Sequence, residues 1–432
     1  MFSAQKATGG TRPEVLQILA RPGGGSAILV ILLVRELNRL GCSTSLVTGN
    51  CDPLDLDMSH LLQADDAVER IPEMSGPVSL RNDLIALWRL YRLIRTLRPA
   101  IVQTHTAKAG LLGRIAARLA GVPVVIHTFH GNVMSGYFPP YQSRAIQFVE
   151  RQLARLTNRI FVLCPQQEQD LVDRFRITSR AKIDIVPPGV DLEPFRRIAP
   201  PEDENSWLTV GWLGRLVAVK DVALLVEVMR ETIRADDRIR FIVAGDGPQR
   251  ALLEEAAKRW PNERLDWLGW TRDVEGVISR CDVLIQTSRN EGTPVALIQG
   301  MAAGRPFVST PAGGVVDMVS GQGRSDTPGS AWFANAVLVE PGAHAFVPAL
   351  RRLRGDRKRL ISMGREAAAF AAASYDLRTV ASNCGKLYAR FLREEGMDEH
   401  NMVRDGIYQI RKATMLDLIR TAYGMEDRKS VG

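Results

Sequence analysis

Cysteine is scarce in this chain of 432 residues: five, at Cys42, Cys51, Cys164, Cys281 and Cys384. None stands in a CxxC pair or at a Cys/His metal spacing. That excludes a disulfide framework and indicates no zinc site, so a reducing cytoplasm is the expected setting. Long apolar runs are missing too; none approaches the ~20 residues of a membrane span. Residues 1–14 have no apolar signal core and are expected to be a short disordered lead. No GxGxxG follows the first predicted strand, and no acidic residue is placed for a ribose there, which argues against a dinucleotide fingerprint. No D-x-D pair lies near the predicted site, so neither a metal nor another cofactor is implied. Basic and aromatic residues do not interleave and no nucleic-acid motif is found, so nucleic acid is not an expected partner.

What is present is a well-stocked apolar core. Hydrophobic residues make up 45% of the chain, and the length suits two or three domains. The net charge is +8, with arginine dispersed over many helices. Such a surplus suits peripheral contact with an anionic membrane, or is merely a basic surface; both readings stay open. Short apolar runs alternate with amphipathic stretches of helical period, which is the pattern of doubly wound α/β sheets. The first strand is expected at 15–20, followed by the Pro22-Gly23-Gly24-Gly25 turn, a helix over 27–40 and a strand over 44–48. Strands at 100–103, 122–126, 160–163 and 182–186 continue the series. It restarts at 208–213 and runs through 240–244, 265–268, 283–287, 307–309 and 336–339. Two Rossmann-like domains facing across a cleft are therefore expected, over 15–187 and 188–376, with Pro187-Pro188-Gly189 between them. A long helix over 377–395 follows. The tail, 397–432, carries an apolar-basic period at Ile407, Ile410, Met415, Leu418 and Ile419; a packing helix, an amphipathic membrane contact and a partly disordered tail all fit it.

Polar residues gather where predicted strands end, which is where open α/β sheets bind ligands. Glu291 and Gly292 follow one strand. Thr293 is the expected N-cap of the next helix and Pro294 its first residue, with Gly304 closing it. Ala312-Gly313-Gly314 then opens a further helix. A helix N-terminus beside a glycine loop suits an anion, and a carboxylate suits hydroxyl groups, so the set fits a sugar nucleotide. The plainer role for Glu291 is electrostatic support of the helix start. Arg215 and Lys220 flank one strand-helix turn. A diphosphate needs such cations, but on local chemistry alone they read first as solvated surface charges. His105 and His130 end two neighbouring strands of the first half. The loop 132–141, with Tyr137, is of the kind that closes over a site.

These motifs resemble one family. Glu291-Gly292-Thr293-Pro294, a helix, Ala302-Ala303-Gly304-Arg305-Pro306-Phe307-Val308-Ser309-Thr310 and Gly313-Gly314 are similar to the donor-site signature of retaining glycosyltransferases with the GT-B fold, of the group 1 and family 4 type. G-R-L-x-x-x-K-D at 214–221 resembles its diphosphate motif. THTAKAG at 104–110 and HT-HG around His130 resemble its acceptor-domain motif. The likeness runs from about Val15 to Glu394. It implies that Gly214, Arg215 and Lys220 hold a diphosphate, that Gly245 and Gly269 lie near the base, and that Glu291, Gly292, Thr293, Pro294 and Gln299 complete the donor site. It implies that His130 touches the transferred sugar and that Gly24, Gly25, His105, Lys108, Gly131 and Tyr137 line the acceptor side of the cleft. The last helix is expected to cross back onto the first domain over 377–396. Three positions depart from the pattern: Phe307 for Val, Pro188 for Asn, and Gln299 for the glutamate eight positions after Glu291.

The resemblance implies transfer of a sugar from a nucleoside diphosphate sugar, a UDP-sugar ahead of a GDP-sugar, to a glycan or lipid-linked acceptor in bacterial glycan synthesis. An epimerase or hydrolase on the same fold, or a non-catalytic sugar-nucleotide-binding protein, remains an alternative. Gln299 generates a prediction that separates the last of these. A glutamine keeps one carbonyl acceptor for a ribose hydroxyl but loses the charge, so its hydrogen bond is weaker. In calorimetry, Gln299→Glu is expected to tighten donor binding while both forms transfer sugar. Transfer by Gln299→Glu alone would mark the natural chain as a binding protein.

Overall fold

The computed structural model describes residues 15–51, 57–63, 66–131, 134, 139–201, 207–260 and 263–397. The expected lead, Asn132, Tyr137 and all of the tail beyond Met397 lie outside these residues.

Two seven-stranded sheets carry the described structure. The first comprises β1 (Val15–Leu19), β2 (Thr44–Thr48), β3 (Val68–Arg70), β4 (Ile101–His105), β5 (Val124–Phe129), β6 (Arg159–Val162) and β7 (Ile183–Ile185), in the order β3-β2-β1-β4-β5-β6-β7. All its pairings are parallel. The second comprises β8 (Leu208–Leu213), β9 (Ile239–Ala244), β10 (Leu265–Gly269), β11 (Val283–Gln286), β12 (Phe307–Ser309), β13 (Ser330–Trp332) and β14 (Ala336–Val339), in the order β10-β9-β8-β11-β12-β14-β13. Only β13, at its edge, runs antiparallel. The central strands β1, β4, β5 and β8 are buried along their whole length, as parallel strands covered on both faces must be.

Helices cover both faces of each sheet. In the first domain the helices Leu80–Leu97, Ala107–Ala120 and Pro140–Arg155 pack side by side, while Gly24–Arg39 packs against the final helix, Leu377–Glu394. The helix Arg357–Tyr375 sets Leu360, Met363, Ala367 and Ala371 into the second domain's core. Asp376 then breaks the backbone in an extended conformation, and its carboxylate accepts from the amides of Arg378 and Thr379. The chain turns there. Val380, Cys384, Tyr388, Phe391 and Leu392 of the final helix join Val15, Ile101 and Phe161 in the first domain's core.

The structure corrects several sequence expectations. The first helix starts at Gly24, so Gly24 and Gly25 form its opening turn and are not a separate loop. The strands β3 and β13 were not expected. The helix after Glu291 runs Val295–Ala302 with Pro294 as its N-cap, and Thr293 makes no capping hydrogen bond. The glycine loop at 313 opens a short 3₁₀ turn, Gly313–Asp317, in place of a full helix.

Candidate functional site

The site forms where the carboxyl ends of the two sheets face each other. On the second domain's wall, β11 ends at Gln286, and the chain then threads Thr287 to Glu291 beside the turn at Val219-Lys220. Thr287 Oγ1 donates to the Lys220 carbonyl at 2.9 Å, and the Arg289 amide donates to the Val219 carbonyl at 2.8 Å. These bonds set Lys220 Nζ 2.6 Å from Glu291 Oε1. The same carboxylate oxygen accepts from Gln286 Nε2 and Ser288 Oγ, each at 2.5 Å. Three donors thus converge on one oxygen, and both charged side chains are mostly shielded from water, 19% and 11% exposed. Arg215 lies five residues before Lys220, at the end of β8 and partly buried.

Backbone approach decides which residues this wall can use. A Cβ on Gly245 would lie 1.8 Å from the Gly214 carbonyl oxygen, and Gly245 has a φ of +148° that favours glycine. The Gly214 amide donates to Ala244, and the Gly245 amide to Gly269, so the ends of β8, β9 and β10 form one continuous ledge. Gly269 itself faces open space. Gln299 lies half-buried on the Val295–Ala302 helix.

The first domain brings His130 to the joint. It follows β5 directly, and its carbonyl oxygen lies against Gly292 of the opposite wall: a Cβ on Gly292 would sit 2.3 Å from it. Gly292 in turn packs on Gly314, and Gly313 on the Glu291 carbonyl, leaving no room for a side chain at any of the three. Gly131 also faces Gly292, and Gly25 faces Val295 at the start of the opposite helix. Gln166 adds a bond across the joint, its amide donating to Asp317 Oδ2 at 2.8 Å.

Two expected cleft residues are placed differently. His105 is 1% exposed and lies behind His130, not on the cleft surface. Register explains this: β4 ends opposite Thr128 of β5, two residues short of His130. Lys108 pairs with Asp83 at 2.8 Å and donates to the carbonyls of Ser75, Gly76 and Pro77, so its ammonium fastens a loop of its own domain. Tyr137 lies outside the described residues.

Sequence reasoning missed a polar chain behind His130. His130 Nε2 lies 2.8 Å from His105 Nδ1, and His105 Nε2 lies 2.7 Å from Gln17 Oε1. Gln17 Nε2 donates to the Tyr388 hydroxyl at 3.1 Å and, at 3.4 Å, to Gln103 Oε1. The Tyr388 hydroxyl donates to Gln103 Oε1, and Gln103 Nε2 donates to Thr128 Oγ1 at 2.7 Å. Gln17 and Gln103 are register partners on β1 and β4, both essentially inaccessible. A signal existed: Gln17 interrupts the otherwise apolar strand β1, Gln103 follows two apolar residues on β4, and buried polar groups need partners. Burial holds the His130 imidazole down to about 4, and holds His105 well below the ordinary value, with His130 as the second cause. Both rings are neutral at neutral pH. Among the described residues no group of three or more His, Cys, Asp or Glu side chains could hold a metal ion, and no helix is long and apolar enough to cross a membrane.

Known proteins resemble this chain in sequence and in fold. Residues 23–194 match the family model Glycosyltransferase Family 4, and residues 208–356 match Glycosyl transferases group 1. The chain is 30% identical over 260 residues to the UDP-Gal:alpha-D-GlcNAc-diphosphoundecaprenol alpha-1,3-galactosyltransferase of Escherichia coli; the match covers 56% of this chain and 66% of that enzyme. It is 28% identical over 365 residues to the 2-deoxystreptamine N-acetyl-D-glucosaminyltransferase of Streptomyces fradiae, covering 77% of this chain and 82% of that one. The fold matches the crystal structure of Anabaena Alr3699/HepE in complex with UDP and glucose, with a TM-score of 0.70 at 17% identity over 87% of this chain and 99% of that one. The chain belongs to the GT-B glycosyltransferases that join a family 4 first domain to a group 1 second domain.

Proposed function

We propose that this glycosyltransferase moves a sugar from a UDP-sugar to a lipid-linked glycan acceptor, with retention at the anomeric carbon. The observation that carries the reading is the convergence at one interdomain joint of the Lys220–Glu291 pair from one wall and His130 from the other. In the reaction the bond from the anomeric carbon to the β-phosphate oxygen breaks, and a bond to the acceptor oxygen forms. The acceptor's proton passes to the leaving diphosphate, so no separate protein base is needed. Arg215 and Lys220 stabilise the charge that grows on that diphosphate. Glu291 and His130 orient sugar hydroxyls, and Gln299 holds a ribose hydroxyl. The transition state is oxocarbenium-like, as in glycoside cleavage. The choice of uridine follows relatives named for UDP-Gal and for complexes with UDP. The relatives reported act as transferases by name, which disfavours the epimerase, hydrolase and non-catalytic alternatives.

A lipid-linked acceptor requires access to a membrane face, and the first domain offers a surface for it. Val78, Leu80, Leu84 and Trp88 are 89%, 78%, 56% and 50% exposed. The last three recur every four residues along the helix Leu80–Leu97, on one face. Arg81 and Arg95 are exposed on the same helix, and the Arg92 guanidinium lies 4.7 Å above the Trp88 ring. On the neighbouring side of this sheet face, the helix Pro140–Arg155 exposes Tyr141, Arg144 and Phe148. Apolar stripes edged by arginine suit an anionic bilayer at the inner face of a cell membrane.

Three outcomes are expected. With UDP-galactose and GlcNAc-diphosphoundecaprenol among the donor and acceptor pairs tried, proton NMR of the product shows the donor's anomeric configuration, and Lys220→Ala weakens UDP binding in calorimetry by roughly ten- to a hundredfold. Inversion at the anomeric carbon, or unchanged UDP affinity, contradicts the reading. In sedimentation with phosphatidylglycerol vesicles, the wild type is expected to pellet and the triple variant Leu80→Ser, Leu84→Ser, Trp88→Ser to stay in solution; equal partitioning of the two overturns the membrane surface.

A further inference from the structure

The polar chain behind His130 has one open end. His130 Nδ1 is buried and has no hydrogen-bond partner among the described residues, while every other nitrogen and oxygen along the chain from His130 Nε2 to Tyr388 is engaged. Directions along the chain follow from the donor inventory. The Tyr388 hydroxyl gives its only proton to Gln103 Oε1 and so accepts from the Gln17 amide. That turns the Gln17 NH₂ toward Tyr388 and leaves its carbonyl oxygen toward His105. A carbonyl oxygen only accepts, so His105 carries its proton on Nε2. A neutral imidazole has one N–H, so His105 Nδ1 is an acceptor, and the bond at 2.8 Å needs His130 to donate from Nε2. His130 Nδ1 then holds a lone pair and no proton.

We infer that Tyr388, Gln17 and His105 are positioning residues that fix His130 in its Nε2–H tautomer, so that His130 meets its ligand as a hydrogen-bond acceptor at Nδ1. The group it takes is a hydroxyl. A buried acceptor with nothing to accept from is costly, which is the condition expected of a site that waits for a substrate donor. The final helix thereby acquires a role beyond bracing the two domains: its tyrosine hydroxyl starts the sequence of bonds that decides which face of His130 carries a proton. Tyr388 stacks parallel to Phe161 at 6.4 Å between ring centroids and packs in the same core cluster as Val15 and Ile101, so the hydroxyl is held at a fixed point under the sheet. Outer groups that hold a histidine tautomer in this way act through orientation and not through contact with the ligand.

The identity of the hydroxyl as one on the transferred sugar rests on the proposed function; the tautomer does not, and the test reads the tautomer in the ligand-free protein. With ¹⁵N-histidine label, the chain's six histidines give resolvable imidazole signals, and His130 is assigned by its loss in His130→Ala. Two-bond nitrogen–proton correlations at neutral pH are expected to show His130 protonated at Nε2 alone. In Tyr388→Phe, which keeps the ring and removes only the hydroxyl, Gln17 is free to turn its amide and His130 is expected to become a mixture of tautomers. Gln17→Leu, which removes the acceptor for His105, is expected to do the same. Turnover in Tyr388→Phe falls roughly twofold to tenfold with the KM for the donor unchanged, as loss of one net hydrogen bond implies. A wild type protonated at His130 Nδ1, or an unmixed Nε2–H tautomer in both variants, overturns the inference. A correct tautomer pattern in a protein that transfers no sugar would leave the inference standing and reject the proposed function.

Discussion

A single carboxylate oxygen, Glu291 Oε1, organises the second domain's side of the site. It receives an ammonium, an amide and a hydroxyl at 2.5–2.6 Å. Taking a lysine and a glutamate out of water is unfavourable, and the pair is held in place by Gln286 and Ser288, which donate to the same oxygen. The loop 287–291 is fastened on its other side as well. The Thr287 hydroxyl and the Arg289 amide tie it to the Val219-Lys220 turn, so the cation and the carboxylate come from two segments fastened to each other. Under the proposed function, an incoming diphosphate shares Lys220 with Glu291 instead of having to reorganise a solvated side chain, which is the advantage of a preorganised charge.

At the joint the His130 carbonyl lies directly against Gly292, and the Gln166 amide donates to the Asp317 carboxylate. Gly292 lies against His130, Gly313 against Glu291 and Gly314 against Gly292, each closer than a Cβ allows. This places His130, whose buried Nδ1 has no partner among the described residues, within reach of the donor wall. The final helix serves the same end from behind. It leaves the second domain at Asp376, enters the first domain's core, and its Tyr388 connects to Gln17 and through His105 to His130. Packing and site chemistry are therefore coupled through a helix that touches no expected ligand position.

Much of this was legible in the sequence because parallel strands buried on both faces read as plain apolar runs, and their ends carry the glycines and polar residues that face a ligand. Thus β1, β8 and β11 were found where expected. The misses have physical causes. Val68–Arg70 and Ser330–Trp332 are three-residue edge strands with charged or polar members, too short to show a period. Lys108 stood at the start of a helix beside the cleft, but its charge is satisfied by Asp83 and three carbonyls contributed from distant sequence. His105 looked equivalent to His130, and only the register of β4 on β5 sets one behind the other. The glutamines on β1 and β4 carried a signal, an amide in a fully buried strand, but their partner Tyr388 lies 371 residues from Gln17 and no local pattern links them.

The central claim is that groups from both domains act on one donor molecule at the joint. A double-mutant cycle tests it most directly: kcat/KM for the wild type, His130→Ala, Lys220→Ala and the double variant, with one donor and acceptor pair throughout. The account predicts that the two losses do not add, with a coupling of more than about 0.5 kcal/mol, because residues engaging the same bound group are interdependent. Losses that multiply independently would place His130 and Lys220 at separate sites and contradict it.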